Sequence, residues 1–237
     1  MQDDLQKYWR KFSKEEINQL PHREYEGPIH LVRSIGQYRR LFGRLKNETI
    51  LGFDTESRPS FRKNHSFPPA LLQLATAEEV FIFQISLFGL PPSLAGLLAD
   101  PKVMKIGVAV HDDVRELKEL RPFEENGFFD LGKETRHRGI PTNGLRNLAA
   151  NFLGIRISKG AQRSDWGREN LTEQQIVYAA TDAWISREIY LRMKELGIFD
   201  HPPLLLNKPT LEPKAASSRA KRGLRPRNRR KPTAANS

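Results

Sequence analysis

Several side chains of this sequence stand where their chemistry is hard to explain by packing alone. The apolar run Leu51-Gly52-Phe53 leads straight into Asp54-Thr55-Glu56. On a strand, residues i and i+2 point to the same face, so Asp54 and Glu56 lie side by side. Like charges so placed repel, and their pKa values couple. A divalent cation resolves that conflict, and carboxylate oxygens are the ligands Mg²⁺ and Mn²⁺ prefer. The plainer reading is a strand that reaches solvent at this point. A second acidic pair, Asp112-Asp113, follows the apolar run 103–110. Asp113-x-x-Glu116 reads as a helix N-cap with its capping-box partner. A cap at the carboxyl end of a strand is also where α/β sites are built. The third position is Asp182, four residues after Tyr178. On a helix these share a face, which Ile185 and Ile189 continue, so Asp182 is predicted to point inward. Burying an unpaired carboxylate is costly, so a basic partner or a metal must meet it there.

The elements that must position these groups follow from periodicity. Strands are predicted at 29–32, 49–53, 70–76, 80–85, 103–110 and 128–131. The pair 70–76 and 80–85 reads as a hairpin about Ala77-Glu78-Glu79. Helices are predicted from Ser34, with Gln37 as capping-box partner, from Ser93 and from Asp113. Two more are predicted at 145–153, stopped by Gly154, and at 173–196, capped by Thr172 and Gln175 and stopped by Gly197. Strands come first, then strands alternating with helices. That order predicts an α/β fold, a mixed β-sheet flanked by helices.

Composition narrows the function. The chain has 237 residues, 38% of them hydrophobic, and no cysteine. A disulfide scaffold, a zinc–thiolate site, an iron–sulfur cluster and a cysteine nucleophile are excluded. No apolar run approaches the roughly 18 residues that span a bilayer, so no membrane partner is expected. The start, MQDDLQKYWRKF, is polar and does not read as a secretory signal, so a cytoplasmic, intracellular location is expected. Lys and Arg total 39 against 28 Asp and Glu, a net charge of +11. Ten of those bases and one acid, Glu212, lie in 207–237, so the tail carries +9 of the total. With its prolines and so little to bury, this tail is expected to be disordered and to bind polyanions such as phosphate backbones. The organisation read from the sequence is an N-terminal extension at 1–28, a domain at 29–206 and the basic tail at 207–237.

The segments GFDTES, KIGVAVHDDVREL and SDW…LTEQQIVYAATDA, in this order, resemble the three motifs of the DEDDy-type 3′–5′ exonucleases. Within that group the chain looks most like ribonuclease D and the Werner exonuclease domain, over roughly 29–196. The resemblance implies a ribonuclease H-like sheet, an antiparallel meander followed by parallel strands. It implies a metal-dependent 3′–5′ exonuclease that uses two divalent ions, Mg²⁺ or Mn²⁺, and releases nucleoside 5′-monophosphates. The expected metal ligands are Asp54, Glu56, Asp113 and Asp182, with Asp112 as the competing choice for the second motif. Tyr178 matches the motif tyrosine. Val177 occupies the position where the sister subgroup carries histidine. With a phenol pKa near 10, Tyr178 is a poor base at neutral pH and is expected to aim the attacking water.

The expected partner is nucleic acid, single-stranded or 3′-end DNA or RNA. Arg58, Arg62 and Lys63, just after Glu56, and Lys159 and Arg163, just before Ser164-Asp165-Trp166, are the expected phosphate contacts. Arg58, Arg62 and Lys63 equally suit an ordinary solvated loop. Trp166 reads as a packing residue, Gln73 as structural, and His111 stays outside the chemistry. The competing readings are a nucleic-acid-binding module that works through the basic tail, and a hydrolase acting on another phosphoester.

Overall fold

The computed structural model describes residues 5–59 and 67–200. Its strands are β1 (Ile29–Val32), β2 (Ile50–Ser57), β3 (Pro69–Ala75), β4 (Val80–Phe83), β5 (Met104–Gly107) and β6 (Phe128–Asp130). They form one sheet in the order β1-β4-β3-β2-β5-β6. Strands β2, β3 and β4 pair antiparallel, as a meander. The parallel pairs are β1 with β4, β5 with β2 and β6 with β5. This is the mixed sheet the sequence order predicts, with β2 near its middle.

The helices are α1 (Lys14–Gln19), α2 (Ile35–Leu41), α3 (Ile85–Phe88), α4 (Pro92–Ala99), α5 (Val110–Leu120), α6 (Leu131–His137), α7 (Leu145–Leu153) and α8 (Glu173–Glu195). None among the described residues is long and apolar enough to cross a membrane. They cover both faces of the sheet, so β3 is buried at every position. On one face Phe53, Leu72 and Leu74 pack with Leu94 of α4 and with Val114 and Leu117 of α5. On the other, Leu71, Ala75 and Ile82 pack with Ala179, Ala180 and Ala183 of α8. Further along α8, Ile185, Ile189 and Met193 meet Leu148 and Phe152 of α7.

Helix α8 starts as its sequence predicts. The Thr172 side chain accepts from the backbone N–H of Gln175, and the Gln175 side chain reaches back to the N–H of Thr172. Its end lies just before Gly197, whose φ of 65° is left-handed. Midway along, its backbone lies against β2. A Cβ on Gly52 would sit 1.9 Å from the carbonyl oxygen of Ala183. Glycine at 52 is therefore what lets the helix approach the strand so closely.

Several local readings change, among them the strand predicted at 80–85, which ends at Phe83 before α3 begins at Ile85. Strand β2 does not stop at Phe53 but runs through both acids to Ser57. Strand β5 ends at Gly107, and α5 begins at Val110 after Ala109 turns the chain with a φ of 58°. Asp113 therefore lies in the first turn of α5 and is not its cap. Ser93 does not cap α4 either. Pro91 and Pro92 open that helix, and the Ser93 hydroxyl shares a 2.6 Å hydrogen bond with Tyr38. Helix α6 replaces an expected strand end, with the Asp130 side chain accepting from the N–H of Lys133.

The lead-in ahead of β1 packs on α7 and α8. Tyr8 stacks on Phe152 with ring centroids 5.4 Å apart. The Asn151 amide donates to the carbonyls of Tyr8 (3.1 Å) and Arg10 (2.8 Å). Farther on, the Arg156 guanidinium donates to the carbonyl of Leu20 at 3.0 Å.

Gly52→Ala tests the close approach. The added methyl would meet a backbone carbonyl that has no rotamer to escape into. Overpacking of this kind costs about 1–3 kcal/mol, and urea unfolding of the variant is expected to show a loss at or beyond the upper end. A variant as stable as the parent would mean that α8 does not rest on Gly52.

Candidate active site

Asp54 and Glu56 sit on the face of β2 that carries Gly52, because side chains alternate along a strand. Asp182 lies next to Ala183, the residue held against Gly52. The close packing of α8 thus brings Asp182 to the two strand acids. One carboxylate oxygen from each of Asp54, Glu56 and Asp182 lies within 4.8 Å of the others. Asp182 is 7% exposed, whereas Asp54 and Glu56 are recessed but keep an open edge.

Asp113 reaches the site from the other side of β2. Thr55 alternates to the face opposite Asp54, and its hydroxyl donates to Asp113 at 2.7 Å. Asp112 points away, 73% exposed at its side chain, and pairs with Arg115 at 2.7 Å. Of the two neighbours, Asp113 is the one that faces β2. It stands outside the tight group of three and is tied to it through Thr55. His111 is exposed.

The electrostatics of the cluster are adverse. Burial pushes the Asp54 carboxyl well above its ordinary range, and Glu56, Asp182 and Asp113 push it the same way. Glu56 is pushed up to about 9, first by burial and then by Asp182 and Asp113. Burial raises Asp182 to about 7, against a lowering hydrogen bond from Tyr178. Asp113 is raised to about 6, chiefly by burial, although the bond from Thr55 lowers it. Burial and the neighbouring carboxylates push the Tyr178 phenol far above its usual value, so it stays protonated. None of the ion pairs among the described residues includes any of the four acids. Uncompensated carboxylates converging in one recess form a hard, all-oxygen donor set, which fits divalent Mg²⁺ or Mn²⁺.

The other expected site residues are scattered. Arg58 follows β2 and lies 3.7 Å from Asp165. Lys159 lines a cavity of about 250 Å³ that also reaches Tyr178 and Asp182. Arg163 is exposed and does not line that cavity. Arg62, Lys63 and the tail lie outside the described residues. Trp166 is fully buried, its ring 5.9 Å from that of Tyr178. Its loop is held at both ends. The Gln175 amide donates to the Asp165 carbonyl at 3.3 Å, and the Gln84 amide donates to the carbonyls of Arg168 and Glu169. Gln73 is buried opposite Asp54 on β3. The sequence reading passed over Gly52 and Thr55. Both were readable from alternation, Gly52 as a missing side chain on the acidic face and Thr55 as the polar residue on the other.

Comparison with known proteins gives the site its context. Residues 29–197 match the family model described as 3′–5′ exonuclease. The human exonuclease mut-7 homolog is 28% identical over 212 residues, 75% of this chain and 24% of that one. Ribonuclease D of Haemophilus influenzae is 30% identical over 194 residues, 78% of this chain and 47% of that one. The chain thus spans less than half of either relative. The solved Nibbler EXO domain of Aedes aegypti superposes with a TM-score of 0.66 at 25% identity, covering 76% of this chain and 94% of that one. The family match takes in β1 through α8 and every acid of the cluster, and this chain belongs to the 3′–5′ exonuclease family.

Proposed function

We propose that this chain hydrolyses phosphodiester bonds one nucleotide at a time from the 3′ end of DNA or RNA, releasing nucleoside 5′-monophosphates. The observation that carries this reading is the convergence of Asp54, Glu56 and Asp182 within 4.8 Å, without a cation paired to them among the described residues. In this reading Asp54, Glu56 and Asp182 hold two divalent ions, Mg²⁺ or Mn²⁺, with Asp113 in support. When bound, the ions supply charge neutralisation for the phosphoryl group and activation of the attacking water.

The chain's own groups do the positioning. Tyr178 stands one helical turn before Asp182, on the same face of α8. Because the phenol keeps its proton, Tyr178 is no base; it orients the water by hydrogen bonding. Thr55 holds one oxygen of Asp113, which ties that carboxylate to β2. Lys159 is set to hold a phosphate of the strand beside Tyr178. Arg58 and Arg163 remain candidate phosphate contacts, with Arg62 and Lys63 beyond the described residues. The tail at 207–237 adds sequence-independent affinity for nucleic acid.

A gel-resolved digestion of 5′-labelled DNA and RNA oligonucleotides tests the reading. The parent chain is expected to give a ladder that shortens from the 3′ end with Mg²⁺ or Mn²⁺ and not with EDTA. Asp54→Asn is expected to slow it on the order of a thousandfold, the rate equivalent of several kcal/mol of lost stabilisation. Full activity in Asp54→Asn, or a ladder that persists in EDTA, would overturn the assignment.

The same carboxylates set a pH dependence of stability in the metal-free chain. Asp113, Asp182 and Glu56 keep their protons up to about 6, 7 and 9 when folded. In the unfolded chain they lose them near pH 4. Folded pKa values above unfolded ones mean stability that is present at low pH and lost as pH rises through those values. In EDTA, Tm is expected to fall between about pH 5 and about pH 8, and to fall less in Asp54→Asn. Added Mg²⁺ or Mn²⁺ is expected to restore Tm more at the higher pH. A Tm that is flat or rises over this range in EDTA would contradict the electrostatic picture.

A further inference from the structure

The turn between β5 and α5 is one the chain takes against its local preference. Ala109 has a φ of 58°, and among the described residues every other left-handed position is a glycine. The Cβ of alanine makes that conformation unfavourable. The turn is also tight. A Cβ on Gly107 would lie 2.5 Å from Cγ1 of Val110 and 2.7 Å from the carbonyl oxygen of Phe53. The start of α5 is therefore packed onto the ends of β5 and β2, and Asp113, in its first turn, meets Thr55. Yet the residue at the start of α5, Ala109, offers no side-chain hydrogen bond to cap it.

The group that meets this turn comes from the neighbouring strand. Gly107 pairs in parallel register with Asp130, the last residue of β6. The Asp130 carboxylate accepts from the N–H of Ala109 at 3.1 Å. The same oxygen, Oδ1, accepts from the N–H of Lys133 at 3.0 Å as the cap of α6. Capping α6 needs only a short polar side chain, and serine would serve. The bond across to Ala109 is the part that the cap does not explain.

We propose that Asp130 is a positioning residue for the acidic recess: through the N–H of Ala109 it holds the left-handed turn that aims Asp113 at β2. This rests on the exonuclease reading above, in which Asp113 supports the bound ions. Asp130 acts through the backbone of the turn and takes no part in the chemistry itself. One oxygen joins three segments, the turn after β5, the end of β6 and the start of α6. Loss of its bond to Ala109 lets the turn relax away from the strained conformation, and the first turn of α5 shifts with it.

The test uses Asp130→Ser, which keeps a cap for α6 but is too short to reach Ala109, and Asp130→Asn, whose amide oxygen accepts both bonds. On a 5′-labelled oligonucleotide with Mn²⁺, Asp130→Ser is expected to lower kcat about three- to tenfold at nearly unchanged KM, the worth of one hydrogen bond. Asp130→Asn is expected to stay within about twofold of the parent. Adding Ala109→Gly to Asp130→Ser is expected to return most of the loss, because glycine takes the left-handed turn without strain. Calorimetry of Mn²⁺ binding to the metal-free proteins is the readout independent of turnover. Affinity is expected to fall about threefold or more in Asp130→Ser and to hold in Asp130→Asn. Parent-like kcat and Mn²⁺ affinity in Asp130→Ser, or an equal loss in Asp130→Asn, would overturn the proposal. Hydrogen exchange of the parent needs no variant. Its Ala109 amide is expected to exchange about tenfold or more below the unprotected rate, and exchange at that rate would overturn the proposal. A parent that cleaves no oligonucleotide but shows this order of Mn²⁺ affinities would overturn the exonuclease reading and keep the role of Asp130. Absent Mn²⁺ binding in the parent would overturn both.

Discussion

A helix backbone resting directly on a strand backbone is the constraint on which this structure turns. Gly52 has no side chain, so the carbonyl of Ala183 takes the space a Cβ would fill. Everything that matters at the site follows from that approach. It fixes the height of α8 over β2 and therefore the reach of Asp182 toward Asp54 and Glu56. It also seats the Ala179–Ala180–Ala183 run on the sheet, where any larger side chain would lift the helix. The fold thus packs tightly around a place where its charges repel. Three carboxylates share a recess that burial makes hostile to their ionised forms. Buried charge without a partner is among the costliest features a protein can carry. The energy spent on it is intelligible when a hard cation completes the recess.

Much of this was legible in the sequence, for definite reasons. Strand periodicity puts Asp54 and Glu56 on one face, and helical periodicity puts Tyr178 and Asp182 on another, whatever the tertiary context. The capping box at Thr172 and Gln175 and the stop at Gly197 are local features, and they appear as read. The errors came where local chemistry had a rival. Asp113 has the residue types of a helix cap, but the chain turns earlier through Ala109, so its side chain is left free to meet Thr55. Ser93 has the residue type of a cap too, yet a pair of prolines starts that helix for it. What no local pattern reveals is distance. That Asp182 closes on β2, and that Asp113 faces it while Asp112 does not, depends on packing of segments far apart in the chain.

The lead-in shows the same limit from another side. Its polar composition reads as an extension, because Tyr8 and Trp9 are isolated among charges. In the fold those rings find Phe152 and the carbonyl of Arg138. The segment then pairs with Arg156 through backbone bonds at Pro21 and Arg23. A stretch outside the family match is thus built into the fold.

The central claim is that the acidic recess on β2 and α8 holds divalent cations. Titration calorimetry of Mn²⁺ into the metal-free chain, beside the Asp54→Asn variant, tests it most directly. Saturable binding in the parent is expected, weakened by more than about tenfold in the variant. Equal binding in the two proteins, or none in the parent, would contradict the account.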